Sequence, residues 1–353
     1  MLSPARPADA HDLPARRDTF PLPVRGITIG PIENTLHPAI GYGTPAFVET
    51  LDYCKSLGAN WIALTPFGRV ANLSGRGVDP TFETPFEENR AAIVQSIHAA
   101  HAKGLAVMLV PHLWVESGDW RALIDPKTDE GWRRWIASYR TYVLGWARVA
   151  EETHTELLSM GVELRSWVTS GRAPMFVDLI REVRSVYHGS LTYSANWDDA
   201  EDTVVWGDLD WIGINAFFPL AYREGATDHE LREGGERVRT RVQALERSWK
   251  KRVLFTEMGY TTIRDPAVKP WEWPDHMKHP EVSERDQARA YAGLLEPNVP
   301  SLSGFFVWRI YSAMFDATQE ARWGFSPQGK LSERVLRDAY RIDYRVPVAI
   351  EMQ

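Results

Sequence analysis

Residues 156–164 read ELLSMGVEL, an apolar run of strand length that closes on a carboxylate, Glu163. It lacks the apolar/polar alternation of a strand with one wet face, so both faces are expected to be covered, as in a parallel sheet clothed by helices. Seven further runs share this character: RGITIGP (25–31), NWIALTPF (60–67), LAVMLVP (105–111), SLTYSAN (190–196), DWIGINAFF (210–218), RVLFTEM (252–258) and SGFFVWRI (303–310). Helical patterns lie between them. Thr44 and Pro45 supply an N-cap and a first-turn proline before Phe47, Leu51 and Cys54, and Gly58 is the stop. Residues 86–103 carry Ile93 and Ile97 ahead of Gly104, 174–187 set Phe176, Val177, Ile180 and Val183 on one stripe, and 229–249 repeat Leu231, Val238, Val242 and Leu245. Further helices fit 130–153, 284–296 and 330–341. Eight strand–helix units with right-handed crossovers close into a (β/α)₈ TIM barrel.

The interval between the fifth and sixth strands is short, so the fifth helix is expected to be abbreviated, at 199–206. An open doubly wound sheet is the competing architecture, but no GxGxxG follows the first strand. Residues 68–88, 112–128 and 261–283 read as long βα loops, and barrel active sites are built from such loops at the C-terminal face. Residues 1–20, rich in Pro and Ala without periodicity, read as a flexible N-terminal arm, leaving 21–353 as a single catalytic domain.

Composition narrows the function. Hydrophobic residues at 44% and charged residues at 25% supply a sizeable core, and a net charge of −7 offers no basic surface for nucleic acid or an anionic membrane. The single cysteine, Cys54, permits no internal disulfide and falls on an apolar helix face. Neither a signal-peptide core nor a membrane-spanning run is evident, which leaves a cytoplasmic protein or a secreted one without its leader. Fifteen Trp stand out, because flat apolar rings are the platforms on which sugars and nucleobases stack.

A charge among apolar neighbours is costly unless paired, protonated or used. Glu163 poses that problem at the end of the fourth strand, and Glu257, in RVLFTEM, poses it again at the seventh. Across a narrow barrel mouth the two carboxylates can face each other near the roughly 5–5.5 Å that retaining glycoside hydrolysis uses, one as acid with a raised pKa and one as an ionised nucleophile. A strand-end glutamate can also simply pair an arginine, and Arg165 is at hand. Two such glutamates with Trp308 closing the eighth strand make a constellation that core packing seldom supplies.

The stretches GITIGP, GANWIALTPF, VMLVPHLW, MGVELRSW, LTYSANWDD, DWIGINAFFPL, LFTEMGY and FFVWRIY, spanning residues 25–311, resemble the retaining barrel hydrolases of clan A, and most of all glycoside hydrolase family 113 of the β-mannanase type. The resemblance implies Glu163 as acid/base, Glu257 as nucleophile and Trp308 as the platform under the sugar at the cleavage site. It also implies substrate contacts at His112, Trp114, Tyr193, Asn196, Trp197 and Asn215, with Arg69 either orienting the nucleophile or solvated. Two departures stand out. Val162 precedes the acid/base where clan A commonly has an Asn for the sugar 2-hydroxyl, and the strand-six tyrosine that supports the nucleophile has no counterpart nearer than Tyr222.

The expected activity is therefore retaining hydrolysis of β-1,4-linked mannan or glucomannan by a monomer without metal or cofactor. The same chemistry on a glucan or xylan is the first alternative, because the catalytic pair sets stereochemistry rather than sugar identity. A non-catalytic carbohydrate-binding barrel is the second, and the presence of both glutamates weighs against it. A metal-dependent hydrolase lacks its HExxH, and His98 and His101 lie away from the strand ends.

Overall fold

The computed structural model describes residues 20–30, 39–81, 84–312 and 320–342. The chain runs through β1 (Val24–Gly30), α1 (Pro45–Leu57), β2 (Trp61–Leu64), β3 (Phe67–Val70), α2 (Phe86–Ala102), β4 (Ala106–Leu109) and β5 (His112–Val115). It continues through α3 (Asp129–Glu152), β6 (Leu157–Val162), α4 (Arg165–Val168), α5 (Ala173–Arg184), β7 (Ser190–Asn196) and β8 (Ile212–Asn215). The last elements are α6 (Asp228–Trp249), β9 (Val253–Met258), α7 (Glu284–Asn298), β10 (Gly304–Tyr311) and α8 (Leu331–Arg341). Eight strands close a parallel barrel in the order β1-β10-β9-β8-β7-β6-β4-β2. All eight apolar runs of the sequence become its staves.

Burial explains why those runs do not alternate in polarity. Trp61, Ala63, Met108, Leu157, Leu254 and Phe306 pack with one another inside the barrel, while their neighbours Ile62, Leu64, Leu109, Leu158, Phe255 and Phe305 pack outward on the helices. Each fully buried side chain of this size contributes about 1.5–3 kcal/mol, so two such layers outweigh the cost of a few buried charges at the rim. Phe306 fills the barrel centre because residue 26 is glycine; a Cβ there would meet its ring at 2.2 Å. The bottom is closed by Phe20, whose ring lies 4.8 Å from Trp61 and 4.5 Å from Trp211. Of the expected arm, residues 1–20, only Phe20 is among the described residues.

Two expectations need correction. No α-helix forms at 199–206; a single 3₁₀ turn, Trp206–Asp208, carries the crossover instead, because Ala200 O caps the Trp206 indole and the chain returns to the barrel within a few residues. The long loops after the second and third barrel strands are also more ordered than their composition suggests. They pair as a small parallel sheet, β3 with β5, that rises over the barrel mouth in the register Phe67↔His112 and Arg69↔Trp114. Tyr142, from α3, donates its hydroxyl to Pro66 O and His112 O and anchors this sheet at its base.

Candidate active site

The fourth and seventh barrel strands, β6 and β9, each carry one extra residue just before the carboxylate. Between Ser159 and Val162 the chain advances three residues while its partner β7 advances two, from Thr192 to Ser194. Phe255 to Glu257 likewise spans two residues against one in β8, from Ile214 to Asn215. Such bulges re-aim the side chains that follow them. Gly161 makes the first one possible, since its φ of 156° brings it against α3, where a Cβ would meet the Tyr139 hydroxyl at 2.4 Å. Glu163 itself sits in left-handed backbone, φ 52°, a conformation that costs a non-glycine residue about 1–3 kcal/mol and is typical of functional sites. Its position is held by Glu163 N–H donating to Ser194 O at 2.8 Å and by Leu164 N–H donating to the Tyr193 hydroxyl at 2.5 Å.

Both carboxylates are 7% exposed at the mouth, and one amide joins them. Asn215, fully buried at the end of β8, donates through Nδ2 to Glu163 Oε1 at 3.1 Å, accepts from Thr256 Oγ1 at 3.0 Å, and also stabilises the charged form of Glu257. Glu163 Oε2 accepts from Trp120 Nε1 at 2.8 Å and from Arg121 at 2.5 Å. Glu257 is poorer in partners. Its Oε1 is buried without a hydrogen bond among the described residues, 3.9 Å from His112 Nε2. Burial and then the nearby Glu163 charge push its pKa up to about 8, against the pull of Arg121, Arg309 and Asn215.

The donors of the loop after β5 converge on Glu163, whereas Glu257, with few partners, meets the full cost of burial. A carboxyl whose pKa rises from about 4.5 unfolded to about 8 folded leaves the protein most stable below the lower value and costs stability as pH rises between the two. Glu257→Gln is therefore expected to unfold like the parent at pH 4 and to be more stable at pH 8, by roughly 2–4 kcal/mol. Denaturant titrations at the two pH values check this; equal stabilities at pH 8 would mean the carboxyl bears no such cost.

His112 lies at the base of the β3–β5 sheet, buried against Phe67 with ring centroids 4.4 Å apart. Burial, helped by the Arg121 charge, holds its pKa well below the usual histidine range. Its Nδ1 lies 3.0 Å from Leu113 N and 3.3 Å from Leu113 O, and its Nε2 faces Glu257. Trp308 closes the opposite wall, 5% exposed, clustered with Phe217 and Phe325, and Trp197 and Trp273 pack on that cluster. Asn196 donates to Asp198 at 2.6 Å, and Trp197 stacks on the exposed Trp271 at 5.4 Å, forming an aromatic rim above the fifth and seventh barrel strands. Trp114 lies on the same face of its strand as His112, one pleat further out, and is 47% exposed.

Two expected contacts fall elsewhere. Tyr193 is fully buried between Phe176 and Trp206 on the helix side of β7, where it supports the backbone after Glu163 instead of facing the mouth. Arg69, its side chain partly exposed, pairs with Glu116 at 3.2 Å. Arg165, the bland partner considered for Glu163, pairs with Asp198 and Asp199. The cations that do act on the pair, Arg121 and Arg309, and the indole of Trp120 were not singled out by the sequence. Arg309 carried a readable signal, a charge inside the apolar run SGFFVWRI; Arg121 carried none. Among the described residues no group of three or more His, Cys, Asp or Glu could hold a metal ion, and no helix is long and apolar enough to cross a membrane.

The model of Glycoside Hydrolase Family 113 matches residues 37–330. Among solved structures, the chain is similar to a family 113 β-mannanase from Alicyclobacillus acidocaldarius in complex with ManMIm, at 22% identity and a TM-score of 0.76 over 90% of this chain and 96% of that one. A family 113 β-1,4-mannanase superposes with a TM-score of 0.77 at 21% identity, covering 91% and 99%. A family 5 mannosidase from Rhizomucor miehei shares the fold more loosely, with a TM-score of 0.61 at 10% identity over 91% and 92%. No curated protein matches the chain.

Proposed function

The chain belongs to glycoside hydrolase family 113 and is a glycoside hydrolase; from that premise we propose that its residues 21–353 act as one catalytic domain that cleaves β-1,4-linked mannan or glucomannan with retention of configuration. The observation that carries the mechanism is the amide of Asn215, which reaches both Glu163 and Glu257 and so keeps two carboxyls side by side at the barrel mouth. Mannan is favoured as substrate because family 113 structures similar to this chain are β-mannanases.

In this reading Glu257 attacks the anomeric carbon, and Glu163 gives its proton to the departing glycosidic oxygen, leaving an α-linked glycosyl-enzyme. Glu163 then takes a proton from water, which releases the sugar from Glu257 in its original β configuration. The pair holds one proton before the first step and after the second, and none in the glycosyl-enzyme, and the apparent pKa values of the free enzyme belong to the pair rather than to either residue. The first step needs a protonated Glu163 and an ionised Glu257, so a sugar entering the mouth has to loosen the hold of Arg121 on Glu163 and offset the burial of Glu257. With Val162 in the place of the usual Asn, the contact to the sugar 2-hydroxyl falls to His112, whose Nε2 lies beside Glu257.

The test is turnover of purified protein on mannan, glucomannan, xylan and mixed-linkage glucan, with the anomer first released followed by NMR. Release of the α anomer would end the retaining mechanism; preference for xylan or glucan would end the mannan assignment; binding without turnover would leave only a carbohydrate-binding barrel.

Trp308 allows a sharper check. A tryptophan 5% exposed leaves a cavity when cut to alanine, at about 3–5 kcal/mol, so Trp308→Ala confounds platform with packing. Trp308→Phe keeps most of the buried volume and shortens the stacking surface. It is expected to lower kcat/KM roughly tenfold while the melting temperature moves by only a few degrees. A large fall in melting temperature with activity per folded molecule intact would make the ring a packing element only.

A further inference from the structure

We propose that the subsite beside Trp308 takes a sugar carrying a carboxylate, a uronic acid, held by the guanidinium of Arg309; this rests on the glycosidase reading above and narrows its substrate. Arg309 follows Trp308 in β10, and its Cζ lies 4.8 Å from the Tyr311 ring, 5.0 Å from Trp308 and 5.7 Å from Trp273. Three aromatic rings therefore fix a half-buried cation at the wall of the mouth. Trp308 and Trp273 belong to the ring cluster at the cleavage site, so the guanidinium sits against that cluster, and its charge acts on both Glu257 and His112.

Among the described residues, the only hydrogen bond Arg309 makes is from Nε to the Tyr311 hydroxyl, at 2.9 Å. No carboxylate among them pairs with it. Other partly buried arginines are handled differently: Arg121 has Glu163, Arg165 has Asp198 and Asp199, Arg184 has Asp210, and Arg289 has Asp228 and Asp286. Glu320, the acid nearest in field to Arg309, is committed elsewhere, accepting from Phe325 N–H, Ser326 N–H and the Tyr311 hydroxyl. A guanidinium that is caged, partly desolvated and left with a free two-pronged edge matches a planar carboxylate, which it binds through two parallel N–H···O bonds.

Charge balance favours carboxylate over phosphate. Arg309 neutralises one negative charge, whereas a phosphoryl group near neutral pH carries up to two and the other cation of the site, Arg121, is engaged by Glu163.

The experiment compares three β-1,4-linked oligosaccharides of equal length on the full chain: a neutral manno-oligosaccharide, the same compound with one hexose replaced by its hexuronic acid, and the methyl ester of that acid. The acid is expected to have a kcat/KM about ten- to hundredfold above that of its ester, and Arg309→Gln should erase this ratio while Arg309→Lys restores part of it. Calorimetric binding of acid and ester to Glu257→Gln gives the same comparison without turnover. Hydrolysis of the neutral compound with no preference for acid over ester, in rate or in binding, overturns the uronate site and leaves the mannanase reading standing. Binding of the acid over the ester without hydrolysis of any of the three upholds the site and sinks the hydrolytic reading. If Arg309→Gln depresses acid and ester equally and shifts the pH profile, Arg309 serves only to hold down the Glu257 pKa and the proposal is wrong.

Discussion

Glu257→Ala is expected to lose activity on every substrate, polymeric or activated, by roughly ten-thousandfold or more, because the atom that forms the glycosyl-enzyme is gone. A good leaving group does not help, since the deficit is in the attack and not in the departure. Added azide can at most enter from the vacated face and give an α-glycosyl azide. The side chain also has little to lose structurally: its Oε1 has no hydrogen-bond partner among the described residues and its carboxyl is buried at a cost. The variant should therefore fold, and steady-state rates on an aryl β-mannoside together with the anomer of the azide product decide the matter. Near-normal rates would remove Glu257 from catalysis altogether.

Glu163→Ala should fail differently. Polymer hydrolysis is expected to fall on the order of 10²–10⁴-fold, the range that a positioned general acid–base supplies. An aryl glycoside with a good leaving group needs little protonation and should still form the glycosyl-enzyme, and azide, needing no general base, should restore turnover and give the β-glycosyl azide. The structure adds a pH signature. The charge of Glu163 is the second cause of the raised Glu257 pKa, after burial, and removing it also frees Arg121 to pull that pKa down. Activity of the variant on the aryl glycoside should thus persist to lower pH than in the parent. An α-azide from Glu163→Ala and a β-azide from Glu257→Ala would exchange the two roles. Because Trp120 Nε1 and Arg121 lose their acceptor in Glu163→Ala, Glu163→Gln is the companion that separates lost chemistry from lost packing.

What surrounds each carboxylate was not legible in the chain. Reading Glu163 and Glu257 from their strand ends identifies two carboxylates that need an explanation, and both do lie at the mouth. Which of them gains partners depends on the loop that follows β5: Trp120 and Arg121, more than 40 positions before Glu163, turn back onto it. Tyr193 teaches the same lesson in reverse. Its place in LTYSAN put it at a strand near the site, but β-strand residues alternate between barrel interior and helix layer, and Tyr193 falls with Leu191 and Ala195 on the helix side of β7.

The sequence by itself determined the barrel, because near-continuous apolar runs spaced by amphipathic helices can be covered on both faces in few other ways, and that property is local to each run. It also determined where the costly residues stand, since a charge at the end of such a run is visible without neighbours. Tertiary structure alone decided the rest: the extra residues in β6 and β9 that aim the glutamates, the β3–β5 sheet that carries His112 over the mouth, and the pairing of Arg121 with Glu163 while Arg309 stays caged by aromatic rings. The physical reason is range. Hydrophobic periodicity is written within a dozen residues, whereas a hydrogen bond or a desolvated charge is set by groups brought together from distant parts of the chain, within a few ångströms of one another.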